Sequence, residues 1–339
     1  MAPDPRYKLS DEQIAHFMQY GYVRVPECFS REKAAAWTAD VWTRLGFSPT
    51  DKATWTTECT HMPEHKEEPV KTFAPKAWAA ICELLGGKHR IDPDSATWND
   101  AFIVNLGTPE MEGKWPHPSE LEGWHVDGDF FIHFLDSPEQ GLLVIPLFND
   151  IQEHGGGTMI CTESVKHVAR FLVRDILFDH FGSSACLFLL LRAIANTIIS
   201  KYDNPRGVSP YMVPRGFKFR KPTVDFYDSI LEKCTEFHEM TGSVGDVILL
   251  HPLMVHSQSV NSLRIPRIIT NPPVSLKKPF NFDRKDPGRF SIVERKTLQD
   301  LGTDRLRGWK IKGGRELVVP ERVKEHEEMK EQELGRLNV

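Results

Sequence analysis

Apolar residues recur at helical spacing through roughly the first 95 residues and at shorter, turn-punctuated intervals after that. Ser10-Asp11-Glu12-Gln13 has the Ser-x-x-Gln form of a capping box. Ile14, Phe17 and Met18 follow on one helical face before Gly21, so the spacing predicts a short amphipathic helix. Tyr22 to Val25 reads as a strand stopped by Pro26. A second helix is expected from Ser30, with Trp37, Val41 and Leu45 on one face and Gly46 closing it. A third is expected from Pro75 through Trp78, Ile81, Cys82 and Leu85 to Gly86-Gly87, with residues 48 to 72 between them as a loop.

From about residue 96 the pattern changes to short apolar runs bounded by Gly, Pro, Asn or Asp. The expected strands are Trp98 to Leu106, Phe130 to Leu135, Leu142 to Phe148, Thr158 to Cys161, Val247 to Leu250 and Arg267 to Thr270. Helices first, strands later and no βαβ alternation predict a mainly β core with flanking helices, best matched by a double-stranded β-helix, a cupin-like jelly roll. The chain reads as one domain. Residues 1–95 form a helical N-terminal cover, 96–285 the jelly-roll core with a helical and loop insert at about 164–232, and 286–339 a C-terminal extension. Within the insert, residues 204–225 are rich in Pro and Gly and carry Arg215, Lys218, Arg220 and Lys221, which suits a lid at the rim of a barrel. Gly182 to Ser200 is oddly apolar for a surface excursion, and a translated intron is a second reading of that stretch. Ile292 to Leu301 has helical character, and the charged end, Glu321 to Arg336, reads as a solvated helix.

Composition narrows the function classes. A chain of 339 residues, 40% hydrophobic and 26% charged, has the makeup of a soluble globular protein, and a net charge of -5 argues against a general nucleic-acid binder. No secretory signal is read at the start, and the longest apolar run, Ala185 to Leu191, falls far short of a membrane span, so a cytoplasmic location without membrane contact is expected. The six cysteines, Cys28, Cys59, Cys82, Cys161, Cys186 and Cys234, are scattered without a Cys-x-x-Cys, which points to reduced thiols.

The candidate chemistry lies in Gly123-Trp124-His125-Val126-Asp127-Gly128-Asp129-Phe130-Phe131. On a strand, residues 125 and 127 point the same way and offer two ligands to one metal ion. Alone this is weak, since a chain with 14 His should hold about one His-x-Asp by chance. A second signal strengthens it: Gly245-Asp246 feeds the apolar run Val247 to Leu250, then His251-Pro252-Leu253-Met254-Val255-His256, with Arg264 and Arg267 beyond. Two histidines and a carboxylate on one face form a facial triad that leaves positions open on a non-haem Fe(II) ion, and an arginine nearby suits a carboxylate ligand. His251 competes with His256 for the third place, and Arg264 with Arg267. Phe131 and His133 share the parity of the ligands and are the candidate substrate pocket, with ordinary core packing as the other reading. Asp129 either orients a ligand or caps a turn.

His125-x-Asp127, the Gly-Asp strand, His251-Pro252-Leu253-x-x-His256 and Arg267, eleven residues past the second histidine, together resemble the phytanoyl-CoA dioxygenase family of Fe(II)/2-oxoglutarate-dependent oxygenases. The opening Glu12-Gln13-Ile14-x-x-Phe17 to Gly21-Tyr22-Val23-x-Val25-Pro26 and the segment Gly155-Gly156-Gly157-Thr158 are similar to that family as well. The resemblance runs over roughly residues 9 to 275. It implies that His125, Asp127 and His256 hold iron, that Arg267 binds the distal carboxylate of 2-oxoglutarate, and that O₂ is the oxidant. The family often has serine two residues after the distal histidine, where this chain has Gln258, and its Pro-Gly-Ser-His-Lys string is replaced by Cys161 to His167. The implied reaction is hydroxylation of a small organic substrate, most naturally a secondary metabolite, with release of succinate and CO₂. An acyl-CoA hydroxylase of the same family, a zinc-dependent hydrolase and a non-catalytic jelly-roll binding protein remain as alternatives. The carboxylate of Asp127 disfavours halogenation, since halogenating relatives lack it.

Overall fold

The capping box expected at Ser10 forms in full. Gln13 N–H donates to Ser10 Oγ at 3.2 Å and Ser10 N–H to Gln13 Oε1 at 3.0 Å, starting the helix Asp11–Tyr20, which Gly21 ends in the left-handed region. The computed structural model describes residues 7–128, 130–173, 221–311, 315–317, 319 and 322–338. The lid and translated-intron readings of the insert, with Arg215, Lys218 and Arg220, fall outside the described residues, as does Asp129.

Among the described residues, eleven short strands follow in chain order: β1 (Tyr22–Val25), β2 (Cys59–His61), β3 (Glu67–Pro69), β4 (Thr97–Asn99), β5 (Ile103–Asn105), β6 (Leu143–Pro146), β7 (Thr158–Cys161), β8 (Phe237–Met240), β9 (Val247–Leu250), β10 (Val255–Gln258) and β11 (Arg267–Ile269). Among the described residues they pair as small antiparallel sheets ordered β1-β9-β6, β10-β7-β8, β11-β5-β2 and β3-β4. Isolated bridges add to these sheets: Leu147 to Ile269 joins the residue after β6 to β11, and His125 to His256 ties the segment before Asp127 to β10. Every residue of β6 and β9 is buried, which explains why Leu143–Pro146 and Val247–Leu250 read as unbroken apolar runs and not as an alternation.

Helices lie against this β core. Asp11–Tyr20 packs on β1 and on the helix Ile292–Leu301, and Pro75–Leu84 puts Ala77, Trp78, Ile81 and Leu84 into the same hydrophobic core that β6 and β9 enter. Three expected elements change. The helix from Ser30 to Gly46 forms as two, Arg31–Thr38 and Val41–Leu45, because Asp40 leaves helical geometry at φ -104° and gives its carboxylate to Lys66 at 2.8 Å. The strand Trp98 to Leu106 splits at Asp100, whose buried carboxylate accepts His65 N–H at 2.6 Å and Lys66 N–H at 2.7 Å. Phe130 to Leu135 is not a ladder strand among the described residues; it makes the bridge Phe131 to Leu317, and Ile132 N–H donates to Glu316 O at 3.1 Å.

The cysteine reading is also corrected. Cys161 and Cys234 form a disulfide, while Cys28, Cys59 and Cys82 are free and Cys186 lies outside the described residues. Scattered spacing hid the pair, since 73 residues separate its members. Among the described residues, no helix is long and apolar enough to cross a membrane.

Candidate metal centre

β10 is where the second half of the site is made. Its ladder with β7 pairs His256 with Ile160, and on its other side His256 forms a two-way bridge with His125, each N–H reaching the other's carbonyl at 2.9 Å. This backbone bridge brings the imidazoles side by side, with ring centroids 4.3 Å apart. Each Nδ1 is spoken for: His125 Nδ1 lies 2.6 Å from Gly123 O, and His256 Nδ1 lies 3.0 Å from Met254 O. A carbonyl only accepts, so the proton sits on Nδ1 in both rings and the Nε2 lone pairs are left for a Lewis acid. Asp127 completes the group, with ligand atoms of His125, Asp127 and His256 all within 4.8 Å of one another.

The geometry reaches this point by a different route from the one expected. Residues 125–127 are not a regular strand; only His125 bridges, and the chain bends at Asp127 before Gly128 at φ +106°. Asn271, just past β11, donates its Nδ2–H to Asp127 Oδ2 at 3.4 Å. The donor set fits a divalent metal ion that prefers imidazole and carboxylate and keeps open coordination positions. Burial, and secondarily the neighbouring His125, hold His256 far below the ordinary imidazole range, at about 3, so its ring is neutral and ligand-ready at neutral pH.

Arg267 stands in β11, whose partner β5 opposes it with Asn105. Its guanidinium is 2% exposed and bonds Gly156 O through Nε at 2.8 Å, Ile103 O through Nη1 at 3.2 Å and Gln258 Oε1 through Nη2 at 3.3 Å. All three partners are neutral, and among the described residues it has no carboxylate at ion-pair distance. Burial lowers its pKa, yet a guanidinium remains charged in the working range. Gly156, from the Gly-Gly segment singled out in the sequence, is at φ +78°, and a Cβ there would come within 2.7 Å of Asn105 Nδ2 and Asn261 Cβ. Only glycine lets that carbonyl approach Arg267. Gln258, the departure from serine, sits two residues after His256 on the same strand face and ties Arg267 to β10.

The rivals separate cleanly. His251 is not gathered with the triad: its Nδ1 accepts Leu253 N–H at 3.2 Å and its Nε2 meets Thr297 Oγ1 at 2.8 Å, so it pins the β9 to β10 turn to the helix Ile292–Leu301. Arg264 is not on a strand at all. It has φ +48°, is 6% exposed rather than a surface charge, and lays its guanidinium over Trp55 with Glu112 at 3.7 Å. Phe131 and His133 are each 1% exposed and pack on one another with ring centroids 4.2 Å apart. Sequence reasoning missed Asn271 and the contacts of His133, which have no spacing signature.

No protein-family model and no curated protein matches this chain. Solved structures similar to it include a non-haem alpha ketoglutarate dependent carbocyclase, SnoK from nogalamycin biosynthesis, at 14% identity and a TM-score of 0.42 over 81% of this chain and 87% of that one. EctD from S. alaskensis with bound Fe is 16% identical, with a TM-score of 0.42 over 90% and 88%. HygX from Streptomyces hygroscopicus with nickel, 2-oxoglutarate and hygromycin B bound is 12% identical, with a TM-score of 0.37 over 79% and 88%.

Proposed function

We propose that this chain is an Fe(II)- and 2-oxoglutarate-dependent dioxygenase, built on a double-stranded β-helix core, that hydroxylates a small organic substrate such as a secondary metabolite. The observation that carries the reading is the pairing of two features: a His-Asp-His group with both Nε2 lone pairs free, and a buried arginine that has no carboxylate partner among the described residues. His125, Asp127 and His256 would hold the iron, and Arg267 the distal carboxylate of 2-oxoglutarate. When bound, iron supplies the oxygen chemistry, in which O₂ oxidises the substrate while 2-oxoglutarate is converted to succinate and CO₂.

The chain's own residues provide placement and charge. Gly123 O and Met254 O fix the two imidazoles in the tautomer that ligates. Asn271 orients the Asp127 carboxylate, and the buried guanidinium of Arg267 offers its unused N–H donors to an incoming carboxylate in a site from which water is largely excluded. A zinc-dependent hydrolase would have no use for that arginine.

Anaerobic addition of Fe(II) and 2-oxoglutarate should give a weak visible charge-transfer band, and admission of air should release succinate, faster when the substrate is present. Absence of both the band and succinate would sink the oxygenase reading. Asp127→Ala should lose iron binding and succinate release together; iron binding equal to the wild type would count against the triad. Screening acyl-CoA thioesters against small secondary metabolites for stimulated succinate release separates the substrate classes.

A further inference from the structure

The segment just past Asp127 is built in a way that core packing does not explain. Gly128 has φ +106°, and the space a Cβ would need there is filled by the rings of Phe131 and His133, with His133 Nε2 at 3.0 Å from that position. His133 Nε2 hydrogen-bonds the main-chain carbonyl oxygen of Asp127. Because a carbonyl accepts, Nε2 carries the proton and Nδ1 is a bare acceptor. That Nδ1 is buried and has no hydrogen-bond partner among the described residues. An apolar side chain of similar size would fill this space without stranding a polar atom, so the imidazole is justified by its donor end alone.

We propose that His133 is a positioning residue for the metal carboxylate. By donating to the Asp127 carbonyl it fixes the peptide that joins Asp127 to Gly128. Since the Asp127 side chain springs from that same backbone, the peptide sets the direction of the carboxylate. Asn271 Nδ2 holds the other end, at Asp127 Oδ2, so the aspartate is gripped at backbone and side chain together. A turn at a glycine has no ladder to stiffen it, which is why this ligand needs an outside anchor while His256, inside β10, does not. The inference rests on the reading of His125, Asp127 and His256 as metal ligands.

Titration with Co(II), read through its visible d–d spectrum, tests it on the wild type, His133→Leu and His133→Gln. The wild type should bind in a His/carboxylate field. His133→Leu should bind roughly 10- to 100-fold more weakly, with an altered spectrum and an unchanged far-ultraviolet circular dichroism. His133→Gln, whose amide N–H reaches about as far as Nε2–H, should recover most of the affinity. Equal affinity and spectrum in His133→Leu, or no recovery in His133→Gln, overturns the proposal. Failure of the wild type itself to bind Co(II) removes the metal reading and the inference with it. If His133→Leu does not fold, nitrogen-15 histidine spectra of the wild type decide. The ring whose signals vanish in His133→Gln should be protonated at Nε2 and shift on Zn(II) loading, and a proton on Nδ1 or an unmoved signal overturns the proposal.

Discussion

At the residue scale the site divides into what spacing announces and what only the folded chain assembles. His125, Asp127, His256 and Arg267 stand out in the sequence because their residue types and order match what the proposed ligand chemistry requires. Asn271 and His133 are not, because one reaches Asp127 from beyond β11 and the other through a backbone carbonyl. Strand parity is an incomplete reason for the gathering of His125, Asp127 and His256: the bridge to His256 and the bend at Asp127 bring the atoms together, not a continuous strand. Arg267 yields the prediction proper to this scale. A buried cation whose hydrogen-bond partners among the described residues are all neutral loses much of its hydration, and a bidentate carboxylate restores it. Arg267→Ala should therefore raise the 2-oxoglutarate concentration needed for half-maximal succinate release by about 100-fold, consistent with the loss of a charge-assisted pair. The charge-transfer band should return at saturating 2-oxoglutarate. An unchanged requirement would place the cosubstrate anchor elsewhere.

Elements were legible where local rules act alone. Capping at Ser10, proline at the first turn of Pro75–Leu84 and the buried runs of β6 and β9 follow from the sequence within a few residues. β2, β3, β8 and β10 were not anticipated. Phe237–Met240 and Val255–Gln258 are four residues each, mix apolar with polar side chains, and become strands only because β7 lies between them. The C-terminal helix shows the same limit from the other side. Arg322–Leu337 has the charge of a solvated helix, yet Glu333 is 1% exposed and meets Arg44 Nε at 2.9 Å and His65 Nε2 at 2.8 Å, while Arg44 also holds Asp100 at 2.8 Å. Removing one member leaves the guanidinium buried with half its compensation. Glu333→Ala should lower the unfolding free energy in urea by about 3–5 kcal/mol. A loss below about 1 kcal/mol, the range of exposed pairs, would mean the helix is held by its apolar contacts and not by this network.

For the whole molecule, order along the chain foretold neither the strands β2 and β3 that fall among the N-terminal helices nor the long closures that shape it. Arg44 and Glu333 stand 289 residues apart, and residues 315–317 return to bridge the segment after the turn at Asp127, with Arg315 pairing to Asp136 at 2.8 Å. Such contacts carry no local pattern. One global property does follow from the buried histidines. Burial is the first cause that pushes His133 down to about 4 and His251 and His256 down to about 3, from an ordinary value near 6.5. All three are neutral when folded, whereas the unfolded chain takes up protons near 6.5, so unfolding is coupled to proton uptake between those limits. Stability contributed by these groups is fully present above pH about 6.5 and is lost as pH falls toward 4 and 3. Near pH 5 each neutral histidine adds a slope of about 1.4 kcal/mol per pH unit. The urea midpoint of the metal-free protein should thus be flat from pH 7 to 8 and fall steadily from pH 6.5 to 4.5, before carboxylate protonation dominates. His251→Gln should remove about a third of that slope. Midpoints that stay level down to pH 5 would show that these rings take up protons without unfolding.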